Sequence, residues 1–245
     1  MTAAGGPDAV RAERMDAASR MARVLAHEIA NYLGSARTML YLLGEELGPD
    51  PRAREDLDVV VRTVDSATRL VGALRGFAHA PTLGAGPADL NAALRDAEPA
   101  LRALLPAGKT LHLALAKEAL AVPADAARLV QLALDLVACA DRALPVGGRI
   151  DLTTARAPGE AGAAHALLVV RDDGPGVDPA TAERIFEPFV FDNAHDTGLR
   201  LPTVYATVAR SGGSMWVESA PGAGTAIRVV LPLAPERPRA SGAAP

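Results

Sequence analysis

Between Met15 and Leu47 apolar residues return every three or four positions. Met21, Leu25, Tyr32, Ala36, Met39, Leu43 and Leu47 fall on one stripe, the signature of an amphipathic helix. The run "GPDP" (Gly48 to Pro51) stops it, with glycine at the C-terminal cap and proline just beyond. A second helical run carries Leu57, Val60, Val61, Val64, Val71 and Leu74 and ends near His79, ahead of the Gly/Pro-rich "APTLGAGP". Two long helices joined by a short link predict an antiparallel hairpin. A lone hairpin cannot cover both of its apolar stripes, so pairing with a second copy into a dimeric four-helix bundle is the expected remedy.

Beyond the linker the texture changes. "ADLNAALRDAEPALRALL" reads as a helix, "KTLHLALA" as a strand and "DAARLVQLALDLVACADRAL" as another helix. "PVGGRIDLTTARA" turns into a strand, and "AHALLVVRDDGPGV" is a buried strand running into a Gly/Pro turn. "SMWVESAPGAGTAIRVVLPL" predicts a closing hairpin around "PGAG". Helices and strands mix without strict βαβ alternation, which favours an α+β layer over a doubly wound sheet. The expected organisation is a flexible N-terminus over 1–13, the hairpin over 14–80, the second domain over 81–234, and a tail, 235–245, disordered by composition.

Composition narrows the function classes. Aromatics are only 3% of 245 residues, so Leu, Val and Ala must build the core. A formal net charge of −4 argues against an electrostatic nucleic-acid binder. Cys139 is the single cysteine, which excludes an intrachain disulfide and fits a reducing compartment. No apolar run is long enough to cross a bilayer, and the N-terminus lacks a signal-peptide core. A cytoplasmic protein with neither nucleic acid nor membrane as partner is expected.

The segment "RVLAHEIANYLG" carries the first candidate chemistry, His27, Glu28 and Asn31. At about 100° per residue, His27 lies about 200° from the centre of the apolar stripe and points to solvent, with Asn31 one turn on. A neutral imidazole nitrogen is a competent nucleophile, and a neighbouring carboxylate can take the proton from the other ring nitrogen. Taken alone, the same residues also suit an ordinary surface histidine beside a helix-favouring glutamate.

"HEIANYL" resembles the H-box of sensor histidine kinases, usually HExxNPL. The resemblance implies that His27 is the phosphoacceptor, Glu28 its general base and Asn31 a helper in phosphotransfer or dephosphorylation; Tyr32 stands where the family often has proline. "RDDGPGVDPATAERIFEPFV" and the stretch from "TGLRLPTV" to "IRVVLPL" resemble the family's ATP-binding, Bergerat-type domain over most of residues 165–233. In that likeness Asp172 accepts the adenine amino group while Gly174 and Gly176 let the backbone close on the purine. "IFEPF" is similar to the F-box.

Three places depart from the family pattern. In the helix "LVQLALDLVACADRALPVGG" the two magnesium-facing asparagines have become Asp135 and Cys139, and a thiol is a poor ligand for Mg²⁺. In "DTGLRLP" Gly198 is kept, but Asp196 and Arg200 replace glycines that would let backbone N–H groups approach phosphate. The lid "VFDNAHD" lacks the customary lysine, leaving His195 as the one candidate substitute. The resemblance implies ATP and Mg²⁺ as cofactors, with Asp135 the metal residue if ATP-Mg is bound. Losing metal, phosphate cradle and lid together removes the parts that position a phosphoryl group for in-line transfer.

The phosphoacceptor end is intact and the donor end eroded, which resembles the ChpT-type histidine phosphotransferases. The expectation is a homodimeric phosphorelay protein that passes phosphate between aspartates of response-regulator receiver domains through His27, charged upstream by a hybrid histidine kinase. The receiver then holds the Mg²⁺. The first 13 residues leave no room for a sensor domain, which suits a relay. Two alternatives stay open: an active soluble histidine kinase, and a non-catalytic pseudokinase that binds partners.

Overall fold

The computed structural model describes residues 7–47, 50–158, 164–190, 192–193 and 196–235, with side chains described for these except 7–16, 192–193 and 196–197. The chain divides into two compact units, residues 1–80 with 184–206, and residues 81–183 with 207–245. The contiguous boundaries read from the sequence do not separate 184–206 in this way.

In the first unit α1 (Pro7–Glu46) and α2 (Pro51–Ala78) pair as a helical hairpin. α1 starts at Pro7, within the stretch read as flexible. Proline suits a first helical turn, and the Ala, Arg and Glu that follow are strong helix formers without an apolar stripe, so periodicity is silent there. α2 opens with Pro51 at its first position, and the Asp50 carboxylate accepts the Arg52 N–H at 3.0 Å. It closes at His79, whose N–H donates to the Arg75 carbonyl at 3.0 Å. The glycine cap expected at Gly48 lies outside the described residues.

The stripe read from the sequence is only in part the one the hairpin covers, with Ala36 and Leu47 common to both. Met21, Leu25, Tyr32, Met39 and Leu43 are exposed, Tyr32 at 75%. The covered positions are Ala22 and Ala26, fully buried, with Leu33, Ala36, Leu40, Gly44 and Leu47 half-buried at the same three-and-four spacing. A Cβ on Gly44 would stand 3.2 Å from Leu57 Cδ2, so small residues let the two backbones approach closely.

The second unit contains a five-stranded sheet in the order β2-β4-β5-β9-β8, from β2 (Thr110–Ala114), β4 (Arg149–Pro158), β5 (Ala164–Asp172), β8 (Ser214–Ser219) and β9 (Thr225–Pro232). β2 and β4 run parallel and the other neighbours antiparallel. Ile150, Leu152, Leu168, Val170, Val229 and Leu231 alternate onto a buried face. The helices α3 (Leu90–Ala103) and α4 (Ala126–Ala143) bury Leu90, Leu94, Leu101, Leu129, Leu136 and Val137. The fold is α+β: a helical hairpin followed by an α/β domain.

Two polar ties hold this unit. Asn91, 1% exposed, donates from Nδ2 to the carbonyls of Ala116 (3.0 Å) and Glu118 (2.7 Å), and its Oδ1 accepts the Thr154 hydroxyl at 2.6 Å. Lys109 Nζ donates to both the Oδ1 (2.8 Å) and the carbonyl (2.6 Å) of Asp141 near the C-terminus of α4. A small sheet, not anticipated from the sequence, pairs β1 (Pro87–Asp89), just before α3, with β3 (Ala121–Pro123), just before α4. Its Asp89 carboxylate accepts the N–H groups of Asn91 and Leu120.

Candidate functional site

α1 presents His27, Glu28 and Asn31 to solvent. Buried Ala22 and Ala26 set the rotation of the helix and turn the imidazole outward. Asn31, four residues on, shares the face of His27, while Glu28 flanks it about 100° around the helix. Among the described residues no hydrogen bond or ion pair engages these three side chains, and the Asn31 carbonyl accepts the Ser35 hydroxyl at 3.1 Å. An imidazole so placed is open to a bulky donor. Further along, Gly34, Arg37, Thr38, Tyr41, Val61 and Asp65 line an open groove on the hairpin, which sequence periodicity did not single out.

The second unit holds the next cluster. β5 ends on Asp172, which is 4% exposed. Its Oδ1 accepts the N–H groups of Gly174 (2.9 Å) and Thr225 (3.2 Å), and among the described residues no donor reaches Oδ2. Burial pushes the carboxyl above its ordinary value, the two backbone N–H groups oppose the rise, Asp173 adds to it and Arg171 counters it. Gly176 sits at φ +66°, and a Cβ there would run into the Ala220 carbonyl. Gly224, at φ +74°, packs on the carbonyl of Asp172 just as closely, a contact hidden in the sequence behind a simple turn reading of "PGAG". Ser219 pins the same loop, accepting the Val177 N–H (2.9 Å) and donating to the Gly224 carbonyl (2.9 Å).

α4 approaches this loop at its end, where a Cβ on Gly174 would stand 3.0 Å from the Ala143 carbonyl. At the helical rise of about 1.5 Å per residue, Cys139 and Asp135 stand about 6 and about 12 Å back along the helix axis from Ala143. Both are half-buried. Gln131 Nε2 donates to Asp135 Oδ1 at 3.2 Å. Among the described residues no three His, Cys, Asp or Glu side chains gather as a metal site.

Gly198 belongs to the first unit, at φ +63°. Its carbonyl accepts the N–H of Phe189, itself at φ +66°, at 3.1 Å, and a Cβ there would stand 2.7 Å from Phe189 Cα. The glycine therefore serves the packing of the "IFEPF" turn, a role that sequence comparison with a phosphate loop does not suggest. Phe186 stacks on Tyr205 with centroids 5.0 Å apart. Arg200 is exposed at the first position of α6 (Arg200–Arg210). His195 and the side chain of Asp196 lie outside the described residues.

Tested against adenosine triphosphate with magnesium, these residues divide. The base end fits, because a buried carboxylate with an unclaimed oxygen beside close-packed glycine backbone suits an exocyclic amino group. Among the described residues of this unit the metal end does not fit: α4 offers a thiol and a single carboxylate, and magnesium calls for several oxygen ligands.

Residues 124–235 match the family model of the "Histidine kinase-, DNA gyrase B-, and HSP90-like ATPase". The chain is 33% identical over 247 residues to the sensory histidine kinase/phosphatase NtrB of Rhodobacter capsulatus, covering 92% of this chain and 66% of that protein. It is 29% identical over 251 residues to the sensor kinase CckA of Brucella abortus, covering 95% of this chain and 26% of that protein. The chain thus spans only part of the length of these relatives. Among solved structures, full-length ShkA in complex with AMPPNP superposes with a TM-score of 0.65 at 26% identity, covering 89% of this chain and 46% of that one.

Proposed function

For a chain that carries the two-part core of the histidine kinases of two-component signalling, a helical hairpin followed by their ATPase domain, we propose a role as a histidine phosphotransfer protein. His27 takes phosphate from a receiver aspartate and returns it to another. The observation that supports this reading is the contrast between an imidazole open to solvent on α1 and a helix α4 that, among the described residues, offers magnesium only a thiol and a single carboxylate.

In the transfer an imidazole nitrogen attacks the phosphorus of an aspartyl phosphate. The N–P bond forms as the acyl O–P bond breaks, and the receiver carboxylate leaves with the electron pair. Glu28 takes the proton from the other ring nitrogen, which keeps the product from carrying an extra positive charge. Asn31, on the face of His27, is placed to donate to a phosphoryl oxygen. The receiver supplies its own Mg²⁺. Exposed Met21, Leu25, Met39 and Leu43 on α1 support a homodimeric bundle.

A second reading, ATP-dependent autophosphorylation of His27, is favoured by the names of the relatives, which are sensor kinases, and by the intact base end at Asp172. Radiolabelled ATP with magnesium separates the two. The phosphotransfer reading predicts no acid-labile label on the protein over hours. Rapid labelling lost in His27→Gln establishes the kinase instead.

A further inference from the structure

His27 has a neighbour outside its motif. Arg23 stands four residues before it on α1, on the same face of the helix and exposed like it. A helical side chain leans toward the helix N-terminus and covers the turn behind its own Cα. The imidazole of His27 therefore leans over the turn that carries Arg23, while Asn31 leans in from the other side. A phosphoryl group on the imidazole extends this reach toward the guanidinium.

Arg23 is only lightly held. Among the described residues its one tie runs from Nη2 to the carbonyl of Ala78, the last residue of α2, at 3.5 Å, the outer limit for a hydrogen bond. That carbonyl belongs to the negative end of α2, which attracts a cation without using its remaining N–H groups. Within two turns of His27 on α1 the described charged side chains are Arg20, Arg23 and Glu28, and the end of α2 adds Arg75 and His79. Glu28 is the one acid in this set, so the surroundings favour an arriving anion.

We propose that Arg23 is the phosphoryl-binding residue of this site: with His27 phosphorylated, its guanidinium leaves the Ala78 carbonyl and pairs with the phosphoryl oxygens. The inference rests on the phosphotransfer reading only for the premise that His27 carries phosphate. A phosphoryl group brings close to two negative charges, and a guanidinium meets it with two parallel N–H groups. Arg23 gives and takes no proton, because its side chain stays charged throughout. The bonds that form and break are those of the transfer from aspartyl phosphate, and Arg23 acts on the product by holding it.

The test charges His27 chemically, with potassium phosphoramidate on the full chain, so that no partner protein is needed. The phosphorus resonance missing from His27→Gln identifies the group. As pH is lowered, the phosphoryl group of wild type should bind its proton about fivefold more weakly than that of Arg23→Gln, the scale of an exposed ion pair. Arg23→Lys, which keeps the charge, should recover most of the difference. Melting temperature and helicity should agree among wild type and both variants, since the side chain is exposed. In exchange with a phosphorylated receiver, Arg23→Gln should shift the balance about fivefold away from His27. Proton affinities equal within about twofold in wild type and Arg23→Gln, or a lysine variant no better than glutamine, overturn the proposal, and uptake of phosphate from a receiver by wild type then still stands. Proton affinities that differ as expected, with no charged receiver passing phosphate to wild type, support the proposal and overturn the phosphotransfer reading instead.

Discussion

Replacing Asp172 with asparagine and with alanine separates the proposed part of its carboxylate in base recognition from its part in holding β5 against β9. Gly174, Thr225 and Asp172 are all buried, and Asp172 Oδ1 accepts both backbone N–H groups. Asparagine keeps an oxygen at that position, so both bonds survive, and its NH₂ takes the place of the unclaimed Oδ2. Alanine strands two buried donors at about 1–1.5 kcal/mol each, about 2–3 kcal/mol together. For a domain of this size that is about 5–10 °C in melting temperature. Asparagine should cost under about 1 kcal/mol, because it also removes a desolvated charge. The pH dependence has a definite sign. A carboxyl raised on folding above 3.8 holds its proton more tightly when folded, so its stabilisation is full below that value and is lost as pH rises through the folded pKa. Wild type should therefore gain on Asp172→Asn as pH falls from neutral towards about 4. Thermal melts of the three proteins across this range are the assay. An asparagine variant that melts as low as alanine, or a wild-type to asparagine gap that is flat in pH, refutes the reasoning.

Other consequences concern the frame around the site. Leu43→Glu, at an exposed apolar position on α1, should convert a dimer to a monomer in light scattering and leave hairpin helicity by circular dichroism unchanged. Asn91→Ala removes three side-chain hydrogen bonds and should cost about 3 kcal/mol in denaturant unfolding. Combined with Thr154→Val its effect should be less than additive, since the two share the 2.6 Å bond. Lys109→Met leaves Asp141 largely buried without its cation and should lower stability by about 2–3 kcal/mol, measured by urea midpoint.

The architecture was legible in the sequence wherever periodicity or turn chemistry is strong. The hairpin, the order of helices and strands and the closing β8–β9 pair all follow from patterns of apolar spacing broken by Gly and Pro. Which face of α1 packs was not legible. Met, Leu and Tyr dominate any hydrophobic reading, yet the covered face is built from Ala22, Ala26 and Gly44, whose value lies in small size and close approach. The start of α1 at Pro7 escaped because an Ala- and Arg-rich segment carries helix propensity without a stripe.

At the site, the outward position of His27 follows from helical spacing alone. The burial of Asp172 follows from its place at the end of an apolar strand. The partners of that carboxylate could not be read, because Thr225 and Gly224 are distant in sequence and meet it through strand pairing. Gly198 shows the converse. A motif glycine invites a phosphate-binding reading, while its close packing is against the backbone of Phe189.

The flow of phosphate through His27 tests the account most directly. A receiver domain charged with acetyl phosphate is mixed with the protein, and intact mass is followed at neutral pH. The prediction is one added phosphoryl group per chain on wild type, removed by acid and stable to alkali, and none on His27→Gln. A wild-type protein that takes no phosphate from any charged receiver, yet gains it on His27 from Mg-ATP, contradicts the account.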